Sequence, residues 1–302
     1  MRRKIIRQGK STLTLSLPAT WVKTQQLKTG DEVDITIRDQ TLLINAKPTT
    51  LSRTVHVDLR GLLTLHQRLV ASAYLTGADE IKVTYDNPAV SRRIQERVRD
   101  MIGMEIIAQD KESLTIKDVT GGTAESFDSL LRRVFYLLLE VARETLYALK
   151  RKEKDLAYLR GMESNINRFT DHCQRILIKH GSTPIRETPL VYGIILGLEQ
   201  LADEYKRLTS LAQEYTPSPS VLSVLERQVH LLAEFEKMYY TYTPQKAATI
   251  AKTKDQISSE IDKKLDTKSL ADIQLLHSIR ELTELTIRLV GQTLNLQGIH
   301  QA

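Results

Sequence analysis

Residues 12–37 read TLTLSLPATWVKTQQLKTGDEVDITI, and this stretch decides the fold of the first part of the chain. Apolar and polar residues alternate at both of its ends, with the apolar positions at Leu13, Leu15 and Leu17 and then at Val33, Ile35 and Ile37. A period of two is typical of half-buried β-strands. Between the strands, Pro18 favours a short helix over 19–27, because the missing N–H of proline would be unpaired in a first helical turn anyway. Asp39-Gln40 then predicts a hairpin into a further strand.

The positive charge of the chain is concentrated in the same region. The chain has 302 residues and a net charge of +6, and residues 1–50 contain nine basic and four acidic side chains. By contrast, 51–120 contain ten of each, and 121–302 contain 24 basic and 23 acidic residues. Five of the basic residues fall within the first ten positions without an acid among them: Arg2, Arg3, Lys4, Arg7 and Lys10. Such a cluster neutralises phosphates, which supplies most non-specific DNA affinity; the alternative is a solvated basic terminus that aids solubility.

The segment 1–47 is too short to bury a good core alone, since domains of this length usually need a disulfide, a metal or a partner. The only cysteine in the chain is Cys173, which excludes a disulfide framework and a multi-cysteine zinc site. We therefore expect a homodimer through this segment.

Particular residues of 1–47 resemble a known family. They are Arg2-Arg3-Lys4, Gly9, Leu15-Ser16-Leu17-Pro18, Trp21-Val22 and Leu27-Lys28-Thr29-Gly30-Asp31-Glu32-Val33. In these the segment closely resembles the AbrB/SpoVT/MazE swapped-hairpin family. The resemblance implies a dimeric barrel of interleaved hairpins that binds DNA, with contacts that map onto Arg2, Arg3, Arg7 and Lys10.

A second motif in this segment, Gly9-Lys10-Ser11-Thr12, looks like the end of a phosphate-binding P-loop. The earlier glycine is absent, since Lys4 stands five residues before Gly9, and 13–17 predict a strand where a P-loop requires a helix. We do not expect a nucleotide site.

Residues 51–120 mix the two periods and predict a small α/β domain of order βαβαββ. Strands are expected around Val55, over 81–85, near 105–108 and near 114–116, and helices over 62–75 and 89–101. This order suggests a sheet with helices on one face. The segment could sense a ligand or dimerise, but no site is evident in it, and Tyr74 and Gly77 are interpreted as a packing residue and a helix stop.

The region 124–298 has a helical period throughout and predicts six long helices. The linker Thr216-Pro217-Ser218-Pro219 divides them into two three-helix bundles, 124–216 and 219–298. The fold class is therefore multidomain α+β: a dimeric swapped-hairpin barrel, a small α/β middle domain and an all-α pair of bundles. The lone Cys173 lies on an apolar stripe and is expected in the core.

One helix carries a pair of carboxylates. Glu199 and Asp203 are spaced i and i+4 on a face opposite the Leu198/Leu201/Tyr205 stripe, so we expect both to face solvent. Exposed oxygen ligands suit Mg²⁺, Mn²⁺ or iron, although carboxylate pairs are also common on polar helix faces.

The two bundles and the sequence Leu198-Glu199-Gln200-Leu201-Ala202-Asp203 look like PhoU, the phosphate-uptake regulator. That resemblance implies surface metal clusters, with Mg, Mn, Zn or Fe as candidates. Only Glu199/Asp203 is a fully acidic pair, because the corresponding spacings hold Glu163 with Asn167, Ser258 with Asp262, and His277 with Glu281. We therefore expect one partial metal site of Glu163, Glu199 and Asp203, with Asp262, His277 and Glu281 as weaker candidates.

The order of the three segments resembles archaeal PhoU-related regulators. It implies a DNA-binding regulator of phosphate uptake; the alternative is an adaptor whose barrel only dimerises while its helices dock on a phosphate transporter or sensor kinase.

An enzyme is not expected, because the seven histidines are scattered and His172 points away from Cys173. The longest apolar run, 190–198, has nine residues against about 20 needed to span a bilayer. We expect a cytoplasmic protein without membrane insertion.

Overall fold

The computed structural model describes residues 1–38, 41–46, 52–120, 126–153, 155–182, 184–265 and 269–300. The chain divides into two compact units, Met1–Ser52 and Arg53–Ala302. Three segments were predicted, and the second and third lie together in the second unit. The predicted turn at Asp39-Gln40 and part of the boundary at 120–124 lie outside the described residues.

The first unit consists of two antiparallel hairpins and one short helix. Its elements are β1 (Ile6–Gln8), β2 (Thr12–Thr14), α1 (Ala19–Thr24), β3 (Asp34–Arg38) and β4 (Thr41–Asn45), with β1 paired to β2 and β3 paired to β4. The pairing of β3 with β4 agrees with the predicted hairpin.

Two elements of this unit are shorter than predicted. The helix was expected over 19–27 but ends at Thr24, because Gln26 adopts a left-handed conformation with φ of 57°. The N–H of Leu27 then bonds to the carbonyl of Val22 at 3.0 Å, which closes the helix end. The strand expected over 13–17 covers only Thr12–Thr14.

The first part of the second unit is a four-stranded sheet with two helices. The elements follow the predicted order: β5 (Thr54–Asp58), α2 (His66–Leu75), β6 (Glu80–Thr84), α3 (Pro88–Arg99), β7 (Met104–Gln109) and β8 (Ser113–Asp118). The strands lie in the order β5-β6-β8-β7, with β5 and β6 parallel and the other pairs antiparallel. Helix α2 was predicted to begin at Leu62, but Leu65 has φ of 69°, so the helix begins only at His66.

Burial shows which face of the sheet the helices cover. Alternate side chains of β6 and β8 are fully buried, such as Ile81, Val83 and Ile116, whereas Lys82 and Thr84, which point to the other face of β6, are exposed. Helices α2 and α3 contact each other and the strands. The prediction of helices on one face is confirmed.

The second part of this unit contains six long helices within the described residues. They are α4 (Phe127–Lys150), α5 (Ala157–His180), α6 (Thr188–Glu214), α7 (Pro219–Tyr240), α8 (Pro244–Leu265) and α9 (Leu270–His300). Helices α4–α6 contact one another, and so do α7–α9. Residues 216–218 of the predicted linker lie between α6 and α7, and Pro219 is the first residue of α7. At the predicted break 181–184, Thr183 lies outside the described residues.

The two groups of helices share one hydrophobic core, in which Cys173 is buried as predicted. The groups pack tightly at Gly197 of α6, where an added Cβ would lie 2.5 Å from Cδ2 of Leu289 on α9. A side chain there would require Leu289 or its helix to shift. No helix in the described ranges combines the length and the apolar character that a membrane span requires.

Candidate functional site

The five basic residues predicted to contact DNA are all exposed at the start of the first unit. Arg2, Arg3 and Lys4 precede β1, Arg7 lies in β1, and Lys10 lies in the turn between β1 and β2. None of the five forms an ion pair with another described residue of the chain. Their charges are therefore available to an anionic partner.

The loop that contains Lys10 differs in geometry from a phosphate-binding P-loop. Gly9, with φ of 74°, begins a three-residue loop that joins paired strands, since Gln8 lies opposite Thr12. The loop leads into strand β2, and no helix follows it as a P-loop requires. The prediction that this motif is not a nucleotide site agrees with the geometry.

The second hairpin of this unit has one apolar face without cover. Ile35 lies opposite Ile44, and Ile37 opposite Leu42, so the four side chains share a face. Ile35, Ile37 and Leu42 are 60%, 75% and 58% exposed. No described residue of 1–46 is buried. The described residues of this unit therefore form no core within a single chain, and an exposed apolar face of this kind is typical of an interaction surface.

Glu163, the first predicted metal ligand, already has partners. It is buried on α5, it accepts a hydrogen bond from Nδ2 of Asn167 at 2.6 Å, and one of its carboxylate oxygens lies 3.0 Å from Nζ of Lys206 on α6. A metal at Glu163 would have to displace the Lys206 ammonium.

The Glu199/Asp203 pair differs from the expected solvent-facing pair. Asp203 is exposed, but Glu199 is half-buried between α5 and α6, where it accepts a hydrogen bond from Nε2 of Gln174 at 3.0 Å. Burial, followed by the nearby charge of Asp171, raises the pKa of Glu199 above its ordinary value. The expectation that both carboxylates face solvent was wrong for Glu199, because the antiparallel α5 covers that side of α6.

The weaker candidates occupy α8 and α9. Asp262 lies 2.5 Å from Arg280, Glu281 lies 3.6 Å from Arg288, and His277 is exposed. Among the described residues, no three histidine, cysteine or acidic side chains lie close enough to hold a metal ion. The metal site stays a prediction from the sequence.

A group of charged residues that the sequence did not single out joins the sheet to α5. Arg175 is buried; it donates to the carbonyl of Tyr74 at 2.7 Å and to Asp118 at 2.9 Å. Arg97 of α3 pairs with Asp171, and the Tyr74 hydroxyl lies 2.9 Å from Nδ1 of His172. Asp171, Arg175 and Lys179 are spaced at i, i+4 and i+8 and therefore form a polar stripe along α5. In the sequence alone, such a stripe is easily mistaken for a solvent-exposed helix face.

Comparison with known proteins assigns the first unit. A family model described as "Antidote-toxin recognition MazE, bacterial antitoxin" matches residues 6–52, which include β1–β4, Arg7 and Lys10. Among curated proteins and solved structures, nothing matched the chain. Residues 6–52 are therefore a MazE/AbrB-type domain.

Proposed function

We propose that the protein is a DNA-binding regulator that acts as a dimer through its MazE/AbrB-type domain. The observation that carries this proposal is the placement of five exposed, unpaired cations on a unit whose apolar hairpin face is uncovered. Pairing two chains through that face would bury its isoleucines and leucine. It would also double the number of cations presented to one DNA duplex, and association with phosphates strengthens with each cation.

The decisive experiment is a gel-shift titration at rising salt concentration with the Arg2→Ala/Arg3→Ala double variant. Each phosphate contact contributes about 0.9 to the slope of log affinity against log salt for B-form DNA. The double variant of a dimer loses four such contacts, so its slope should be shallower by about 3 to 4. The DNA duplex for this titration is a genomic fragment that co-purifies with the protein.

The matched control is Arg92→Ala/Arg93→Ala, which removes the same charge from exposed positions of α3. This control should keep the wild-type slope. If both double variants weaken binding equally, the basic N-terminal residues are not the DNA contacts.

The finer proposal is that the helical region regulates phosphate uptake in the cytoplasm, as the resemblance to PhoU implies. It is supported by the two consecutive three-helix groups and by the sequence 198–203. Within this proposal, Glu163, Glu199 and Asp203 would take a divalent metal or iron. Deletion of the gene that encodes this protein should change the rate of phosphate uptake and the transcript levels of uptake genes. If both quantities are unchanged at low and at high phosphate, this role is refuted.

A second candidate function is that of an adaptor, in which the domain only dimerises and the helices dock on a phosphate transporter or sensor kinase. The near balance of 24 basic and 23 acidic residues over 121–302 favours a protein-binding region, since a nucleic-acid surface would carry excess positive charge. Absence of enriched DNA sites in genome-wide immunoprecipitation, together with a co-purified transporter or kinase, would favour this candidate.

A further inference from the structure

The second unit contains a cleft between the sheet domain and helix α5 that the sequence did not reveal. Its volume is about 460 Å³. The end of α3, the turn into β7 and β7 itself form one side, and Arg168 of α5 reaches it from the other. This volume lies within the range of about 300–1,000 Å³ that is typical of small-molecule sites, and it is far larger than the roughly 30 Å³ that one water occupies.

Two arginine residues line this cleft. Arg168 is half-buried, and its Nε is shielded from solvent without a hydrogen-bond partner among the described residues. Arg99, at the end of α3, is exposed and makes no ion pair with any other described side chain. A buried N–H donor without an acceptor costs free energy, and a guanidinium satisfies this requirement best with a carboxylate or phosphate.

The rest of the lining indicates more than a bare ion. Gln95 and Gln109 supply amide groups and are hydrogen-bonded to each other at 2.8 Å, while Met101 and Met104 provide a buried apolar floor. Glu105 adds one carboxylate, which leaves a net positive charge of one at the cleft. Such a lining suits a polar organic molecule that carries an anionic group.

We propose that this cleft binds a small organic anion, whose carboxylate or phosphate is held by Arg168 and Arg99. The ligand bridges the sheet domain and α5. Arg168 precedes Asp171 and His172 by three and four residues, and these two contact Arg97 and Tyr74 of the sheet domain. Tyr74 also donates to the carbonyl of Ile102, which lines the cleft. Occupancy therefore reinforces the same contact between α5 and the sheet.

The test is calorimetric titration of the full chain at constant ionic strength with four probes. Succinate carries carboxylates only, glycerol 3-phosphate carries a phosphate only, and 3-phosphoglycerate carries both groups. Inorganic phosphate supplies the anionic group without an organic part. We expect at least one organic probe to bind with a dissociation constant below about 1 mM and more tightly than inorganic phosphate. The preferred probe identifies the anionic group.

Two variants and one control locate the binding. Arg168→Gln should weaken the preferred probe by about tenfold or more, because a charge-assisted hydrogen bond is lost. Arg99→Gln, at an exposed position where folding is not at risk, should weaken it as well, whereas Arg92→Gln on the same helix should not. Failure of all three organic probes to bind, or equal affinities for Arg99→Gln and Arg92→Gln, would overturn the proposal. Neither outcome affects DNA binding by the first unit.

Discussion

Arg175 makes a buried charged contact between α5 and the sheet domain. It is 3% exposed, its guanidinium lies over the ring of Tyr74 at 4.8 Å, and it pairs with Asp118 at 2.9 Å. A buried charge is tolerated only where it is paired and hydrogen-bonded. The carbonyl of Tyr74 and the carboxylate of Asp118 meet that requirement from two elements of the sheet domain.

Arg175→Met should therefore destabilise the protein strongly. Methionine keeps much of the side-chain volume but leaves Asp118 without its cation. We expect a loss of about 3 kcal/mol, near the lower end for a broken buried ion pair, because Asp118 remains partly exposed. Urea denaturation measures this loss. The exposed Arg92→Met should change stability by less than about 0.5 kcal/mol, and an equal effect of the two substitutions would contradict the role of Arg175.

The same ion pair predicts a dependence of stability on pH. Burial by itself raises the pKa of Asp118, but hydrogen bonds from Thr120 and Arg175 outweigh it and leave the pKa below its ordinary value of 3.8. A carboxyl whose pKa is lowered by folding stabilises the protein above its unfolded pKa, and this contribution is lost as the pH falls through the folded value.

Wild type should therefore exceed Asp118→Asn in stability at neutral pH, and the difference should shrink as the pH falls below about 3.8. Denaturant midpoints of both proteins across an acidic pH series give this difference. A difference that is constant with pH would show that Asp118 acts through packing and not through its charge.

At the scale of elements, the β3–β4 hairpin shows what the alternation of residues predicted. The pattern placed Ile35 and Ile37 on one face, and the register confirms that they lie opposite Ile44 and Leu42. The alternation of residues predicted that this face is half-buried, whereas within one chain three of its side chains are largely exposed. The period of a strand fixes which side chains share a face, but the surface that covers them can belong to another molecule.

Ile37→Lys tests whether a second copy covers this face. At an exposed site of a monomer the substitution would be nearly neutral, but at a dimer interface it would bury an unpaired ammonium, which is costly. We expect the dimer dissociation constant to rise by about 100-fold or more, as measured by analytical ultracentrifugation.

The control for this variant is Asn45→Lys, an exposed position on the opposite face of the same hairpin. It should leave the association unchanged. A dimer equally stable in both variants would place the interface elsewhere.

The carboxylates of α6 show where sequence reasoning stops. A helical projection gives the direction of Glu199 and Asp203 about their own helix axis but does not say which neighbouring helix lies there. Helix α5 covers Glu199 and leaves Asp203 exposed. The carboxylate of Glu163, on α5, already forms an ion pair with Lys206 of α6. Similarly, the cleft joins residues of α3 and β7 to Arg168 of α5, which lies about sixty positions further along the chain and shares no local pattern with them. Element type follows from local period, whereas sites between elements depend on packing.

At the scale of the whole molecule, the two units differ in how they are stabilised. Residues 53–302 contain two hydrophobic cores, one under the sheet and one through the six helices. The described part of the first unit contains no buried residue. Because burial of apolar surface is the main favourable term in folding, the second unit has its own source of stability, whereas the proposed dimer would supply it for the first.

A truncated chain of residues 53–302 should therefore fold without the first unit. We expect a cooperative thermal transition close to that of the full chain, because both cores are retained, together with loss of DNA binding. Calorimetry and gel-shift assays measure these two properties. For residues 1–52 alone, the melting temperature should rise with protein concentration, since a fold stabilised by association responds to mass action. An unfolded 53–302 fragment, or a concentration-independent melting temperature for 1–52, would show that stability is not divided between the units in this way.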